Sequence, residues 1–427
     1  MREMKDSGIE WVGNIPKEWS VWRNKYIFKI TKDIVLPSKN YQLLSLTTTG
    51  IKEKDENDNG GKVPENYDGY QVVKENDLVM CLFDLDCSAV FSGLSPYNGM
   101  ISPAYKVLKV KKRIANEQYY RYWFNYVGSK RFYKQYSKSL RFTLNADEFN
   151  RLFSLLPSLV EQQRIAEFLD RECGKIDGLK ADIQVQIDTL EQYKRSVITE
   201  AVTHGLNPSA PMKDSGVPWV GNIPKHWNCC SLKYNYNTIS GATPNSNDIS
   251  LWDGEIVWVT PADYKTKDVY VFSGARKITY KGYLSCSTTL IKQGNIIFSK
   301  RAPIGSVAIN KVELCTSQGC LSVVRKTGNV NNKYFYYLFS VNDETFNLFG
   351  SGTTFKEISA KNFLSVKFPL PPLDEQQEIA DYLDNKCAEI EQIITDKKTQ
   401  IETLDGYKKS FIYEYVTGKK EVCDGKN

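Results

Sequence analysis

The fifteen residues from Gly128 to Phe142, GSKRFYKQYSKSLRF, carry five cations, Lys130, Arg131, Lys134, Lys138 and Arg141, and no carboxylate. Phe132, Tyr133 and Tyr136 are interleaved with them, so one side can pack while ammonium and guanidinium groups face phosphates. A basic face that is merely solvated has the same spacing. Further along, Lys300 and Arg301 follow an apolar run in a stretch ending at Gly305, and Lys356 stands at the alignment position of Phe142, the neighbour of Arg141. A guanidinium can donate two parallel hydrogen bonds to O6 and N7 of guanine, which makes Arg301 the preferred base reader of that half. The corresponding stretch of the first half, LFDLDCS, has Asp84 and Asp86 instead. A carboxylate accepts from cytosine N4, so the two turns would read with opposite hydrogen-bond character. Capping of a turn is the plainer role for both aspartates.

These residues lie in segments framed by repeats. MKDSGIEWVGNIPKEW at 4–19 returns as MKDSGVPWVGNIPKHW at 212–227, an offset of 208. Trp11, Gly13, Pro16 and Trp19 predict a turn pinned by two aromatics, and packing rather than ligand binding is the simpler reading. LPSLVEQQRIAEFLD at Leu156 returns as LPPLDEQQEIADYLD at Leu370, an offset of 214 that continues without a gap for about fifty residues. Between these flanks the two interiors have diverged but keep one plan. YQLLSL and YQVVKENDLVMCLF read as short strands, KEKDENDNGG from Lys52 as a loop, and NEQYYRYWF as the start of a helix. In the second half EIVWVTPADY reads as a strand, TTLIKQGNIIFSKR as two strands about Gly294, GCLSVVRK as another strand, and NNKYFYYLFSVNDETFNLF as a helix.

The duplicated segments predict helices of roughly 43 residues, about 64 Å at 1.5 Å per residue. Ile165, Leu169, Ile176, Leu179, Ile183, Ile187, Leu190 and Val197 recur at mostly three- and four-residue steps, as do Ile379, Leu383, Cys387, Ile390, Ile394, Ile401, Leu404 and Phe411. That is the seam of a coiled coil, and each helix has the other as a partner of equal length. Ser158 with Glu161, and Asp374 with Gln377, have capping-box spacing, and Gly205 and Gly418 suit left-handed caps at the far ends. Few residues separate the first helix from the second tryptophan motif, so the helices are expected to pair antiparallel. The expected fold is α+β: two globular domains held apart by a long antiparallel two-helix coiled coil, a tandem duplication with pseudo-two-fold symmetry.

The 427 residues carry a net charge of only +6, so charge alone names no partner. Ten cysteines without a CxxC pair, and two histidines, His204 and His226, fit neither a disulfide framework nor a zinc site. The first residues hold no apolar run of signal length and no stretch approaches 18 apolar residues, so a cytoplasmic protein is expected. There is no G-x-x-x-x-G-K-[ST], G-x-G-x-x-G or H-E-x-x-H, and no [DN]-P-P-[FYW]. No catalytic residue, metal site or cofactor is expected in this chain.

The doubled LPxLxEQQxIAxxLD segment, the W-V-G-N-I-P-x-x-W motif before each interior, and FSKRAPIGSVAI and SGTTFKEIS resemble the specificity subunit of type I restriction-modification enzymes. The resemblance implies target-recognition domains at 1–155 and 206–369, each reading one half of a bipartite, asymmetric DNA target. It implies spacer helices at 156–205 and at 370–427 with the C-terminal tail. It further implies double-stranded DNA, two methyltransferase subunits and restriction subunits as partners, with S-adenosylmethionine, ATP and magnesium held by those partners. Glu161, Gln162 and Gln163 with Glu375, Gln376 and Gln377 are polar residues that the apolar seam does not require. They are the expected docking surface, with helix capping an equally good account. The competing readings are a coiled-coil scaffold whose end domains bind protein, and an enzyme with an unrecognised site.

Overall fold

The computed structural model describes residues 2–35, 41–54, 67, 69–264, 269–301, 303–352 and 356–422. Positions 55–61 of the charged stretch, Ala302, and Thr353, Thr354 and Phe355 of SGTTFKEIS lie outside them. The chain forms two compact units, residues 1–184 with 398–427, and residues 185–397. The units therefore do not divide at the starts of the long helices. Each long helix, Leu159–His204 and Leu373–Val416, contributes one half to each unit.

The first unit is built on an antiparallel sheet in the order Phe28–Thr31, Lys106–Val110, Leu78–Met80, Ser92–Leu94. The second repeats that order with Tyr236–Ser240, Cys320–Arg325, Ile296–Ser299 and Val307–Asn310, and adds Tyr270–Val271 as a parallel edge. The repeated strand order identifies the diverged interiors as two copies of one fold. An aromatic helix follows in each, Glu117–Ser129 and Asn332–Ser340, with an asparagine N-cap, Asn116 or Asn331, accepting from its first turn. In the second copy a separate helix, Asp343–Leu348, completes what the sequence suggested was a single one. Ile291 makes only an isolated bridge to Leu314, so the expected pair of strands about Gly294 reduces to Ile296–Ser299.

Within each unit the long helices run antiparallel. In the first, Lys408 pairs with Asp177 at 2.6 Å, and Lys180 pairs with Asp405. In the second, Lys194 pairs with Glu391 at 3.1 Å and the Lys397 ammonium donates to the side-chain Oε1 of Gln186. Lys194 and Lys408, and likewise Asp177 and Glu391, are 214 apart, so the duplication places the same ion pair in both units. The seam follows the expected apolar positions with one correction. Leu179 is 54% exposed, and Lys180 takes its place between Ile176 and Ile183, its stem covering the seam while its ammonium meets Asp405. Replacing Leu179 with Gln is expected to change stability by less than about 0.5 kcal/mol. Ile187→Ala, at a site 2% exposed, is expected to cost about 3 kcal/mol in denaturant melts. Cys173 and Cys387 occupy equivalent buried seam positions, and burial pushes the Cys387 thiol up to about 11.

The tryptophan motifs clasp the helix ends. Trp19 is buried and donates through Nε1 to Glu161 at 2.9 Å; Trp227 does the same to Glu375 at 2.8 Å. Gly418 (φ +69°) and Gly205 (φ +77°) cap the opposing helix ends in the left-handed region, as their positions suggested. A Cβ on Gly418 would meet Pro16 at 2.4 Å, and one on Gly205 would meet Trp227 at 3.1 Å, so each glycine also allows the motif to seat. Tyr119 donates to the Val416 carbonyl and Tyr334 to the Val202 carbonyl, both at 2.9 Å, satisfying carbonyls the helices leave open. No described helix is long and apolar enough to cross a membrane.

Candidate nucleic-acid interface

In the first unit the basic stretch and the aspartate turn, distant in sequence, are folded against each other. The aromatic helix ends at Ser129, the backbone turns through Arg131 at φ +54°, and a short 3-10 helix covers Phe132–Tyr136. The cations therefore do not lie along one helical face. The interleaved aromatics do pack as expected. Phe132 stacks on Trp11 with centroids 4.2 Å apart, Tyr133 is fully buried, and Trp11 Nε1 donates to the Tyr136 hydroxyl at 3.2 Å. This anchors the exposed Lys130, Arg131, Lys134 and Lys138 to the tryptophan motif.

The chain then turns back towards the strand end after Met80. Asp84 N donates to the Arg141 carbonyl at 3.1 Å, Leu85 N to the Phe142 carbonyl at 3.2 Å, and Leu144 N to the Leu82 carbonyl at 2.8 Å. Ser137 and Ser139 hold the loop internally, the latter accepting from Thr143 N at 2.7 Å. Arg131 donates to the Asp86 carbonyl, and the Lys134 ammonium sits 4.5 Å from the Phe142 ring centroid. Asp84, Arg131 and Phe142 all have left-handed backbones, at φ +48°, +54° and +45°. Non-glycine residues adopt that conformation at an energetic cost, and three of them meet in this one loop pair. Leu140, at the tip, is completely exposed between cations.

The carboxylate of Asp84 does not cap the turn; its backbone carbonyl takes the turn bonds from Cys87 and Ser88. The side chain instead accepts from Nε and Nη2 of Arg141, both at 3.2 Å. In the second unit the same backbone frame returns, with Ile358 N donating to the Lys300 carbonyl at 2.9 Å. Here the charges are exchanged. Lys300 and Arg301 stand on the strand-end turn and both engage Glu357 of the later loop, at 2.9 and 2.8 Å, with the exposed Lys356 beside it. Burial works against the charge of Glu357, but Lys300 and Arg301 outweigh it and hold the carboxyl below the usual range. Neither Asp84 nor Arg301 is thus an isolated charge. Glu357 gave no signal in the sequence, since only the fold sets it against the Lys300–Arg301 turn.

The six polar helix-start residues divide. Gln162 and Gln376 are fully buried. Gln162 Nε2 donates to the carbonyls of Ile114 and Pro157, each at 2.9 Å, and its Oε1 accepts from Asn116 N at 2.8 Å. Gln376 repeats all three bonds on Asn329, Pro371 and Asn331. These two residues therefore present no surface to a partner, because a buried amide must spend its donors and acceptor internally. Glu161 donates its backbone N–H to the Ser158 hydroxyl as a cap bond, but its carboxylate goes to Trp19 and Arg2; Glu375 likewise serves Trp227 and His226. Gln377 bonds Asp381 and Asn331 rather than boxing with Asp374. Gln163 and Gln377 alone of the six are exposed.

Residues 224–403 match the type I restriction modification DNA specificity domain. A putative type I restriction enzyme MjaX specificity subunit of Methanocaldococcus jannaschii is 25% identical over 96% of both chains. The chain is thus similar to type I restriction enzyme specificity subunits, in the matched domain and over nearly its whole length. The MjaIX specificity subunit of the same organism is 35% identical over 44% of this chain, a match spanning 43% of that protein. The fold is shared with a chain of a solved structure concerned with complex assembly and conformational transition of the type I restriction-modification system. That chain has a TM-score of 0.71 at 16% identity and is covered to 99%, with 95% of this chain aligned. This similarity fits the duplicated frame and the diverged loop pairs.

Proposed function

We propose that this specificity subunit is the DNA sequence reader of a type I restriction-modification assembly and performs no chemistry itself. Each unit reads one half of a bipartite target, through residues 1–155 and 206–369, and the long helices set the half-site spacing. Methyltransferase subunits dock on the repeated framework, restriction subunits join them, and S-adenosylmethionine, ATP and magnesium belong to those partners. The observation that carries this reading is the doubled fold, whose clasp is repeated bond for bond while its loop pairs differ in charge. A symmetric frame with unlike readers suits an asymmetric two-part target. Lys130, Arg131, Lys134 and Lys138 supply phosphate contacts, which position without selecting sequence. Docking narrows to Gln163 and Gln377, the exposed members of the helix-start set.

The test is a map of methylated sites in the producing cell with and without the gene. A bipartite motif that disappears on deletion is the expected result, and an unchanged map sinks the reading. Lys138→Ala is expected to weaken DNA binding about equally across sequences and to lower the salt slope by about one counterion. A base-selective effect of that substitution would move Lys138 into the reading set. Binding that is insensitive to salt would favour a protein-binding scaffold.

A further inference from the structure

We propose that Asp84 and Glu357 are positioning residues, each orienting one guanine-reading arginine, Arg141 in the first unit and Arg301 in the second. This deepens the DNA-recognition reading and rests on it. The geometry is the same in kind on both sides. Arg141 donates to Asp84 through Nε and one N–H of Nη2, and Arg301 donates to Glu357 through Nε. A guanidinium bonded along its inner edge has its plane fixed, and its outer Nη1–Nη2 edge is the fork that matches O6 and N7 of guanine. Exposure assigns the roles. The Arg141 side chain is 80% exposed against 29% for Asp84, and Arg301 is 49% exposed against 33% for Glu357. In each pair the arginine reaches outward and the carboxylate lies behind it. Lys300, only 15% exposed, shares Glu357 and adds charge without reaching as far.

The exchange of charges between the copies supports this assignment over direct reading by Asp84. If the strand-end turn were the reading element in both units, one copy would present a carboxylate and the other a guanidinium. Instead, the later loop contributes the arginine in the first unit and the acid in the second, so each loop pair joins one arginine to one carboxylate across the frame. What the duplication has kept is the pair, not the side of the frame on which each member stands. The left-handed backbone at Asp84, φ +48°, ties that residue to its place in the turn, as a positioning group requires. Both half-sites are then expected to contain a guanine read by a buttressed arginine.

The experiment maps methylated sites in cells carrying the full-length chain as wild type, Glu357→Gln, Glu357→Asp, Arg301→Ala, Asp84→Asn or Arg141→Ala. Glu357→Gln is expected to relax one guanine of one half-site, raising methylation of sites with another base there about tenfold relative to the intact motif. Arg301→Ala should relax the same base pair, and Glu357→Asp should keep the wild-type motif. Asp84→Asn and Arg141→Ala should together relax one guanine of the other half-site. The proposal is overturned if the carboxylate and arginine variants relax different positions, if the relaxed pair contains no guanine, or if Glu357→Gln leaves the motif unchanged. Loss of methylation at every site in both Glu357→Gln and Glu357→Asp would mark a structural role and also overturn it. A deletion that leaves the map unchanged removes the DNA-recognition reading itself, and the proposal with it.

Discussion

Gln376→Met is expected to destabilise the second unit by about 3 kcal/mol, seen as hydrogen exchange about two orders of magnitude faster in the helix Asn332–Ser340. Methionine nearly conserves length and volume, so the loss isolates the amide. That amide is fully buried and makes three bonds, two to the carbonyls of Asn329 and Pro371 and one from Asn331 N. Removing it strands those backbone groups out of water, and each unsatisfied buried group costs about 1–3 kcal/mol. Asn331 is also the N-cap of the aromatic helix, so the same change loosens the first turn. Gln162→Met should do the same to Glu117–Ser129, where the equivalent bonds join Ile114, Pro157 and Asn116. Gln163→Ala, exposed and bonded only along its own helix to Glu167 among the described contacts, should stay within about 0.5 kcal/mol. Unchanged exchange in the two methionine variants would show that the clasp does not hold the helices.

Inserting seven residues into both long helices at opposed positions, beside Gln186 and beside its partner Lys397, is expected to lengthen the non-contacted part of the DNA target by about 3 base pairs. Seven residues add about 10 Å of rise while rotating the seam by only about 20°, so the apolar stripes still meet. The half-site sequences should be unchanged, because the reading loops are untouched. Five residues, by contrast, rotate the seam by about 140° and should abolish assembly. Methylated-site maps of the two insertions decide the matter: a seven-residue insertion that leaves the spacing as it was removes the ruler from the proposed function.

Much of this was legible in one dimension because it depends on periodicity and duplication. Helices Leu159–His204 and Leu373–Val416, the aromatic helices and some interior strands, Leu78–Met80, Ile296–Ser299 and Cys320–Arg325 among them, follow from spacing alone, since burial of an apolar stripe or an alternating face is imposed by the chain's own period. The near-identity of the flanks pointed to a shared role, and the structure supplies the reason. Trp19 and Trp227, Gln162 and Gln376, and Gly205 and Gly418 are parts of one clasp made twice. Leu179 was misplaced because three- and four-residue steps fit the same run equally well, and the choice between Leu179 and Lys180 depends on where Asp405 sits across the seam.

The sequence by itself determined the duplication, the long helices and the resemblance to type I specificity subunits. Those properties depend on residue types recurring along one chain. Only the tertiary structure decided that the EQQ glutamines face inward, that the basic stretch folds onto the Asp84 turn, and that Arg141 with Asp84 and Arg301 with Glu357 form charge-exchanged pairs. A hydrogen bond between residues 57 or 56 positions apart has no periodic signature, because it is fixed by which strand ends and loops the sheet brings together.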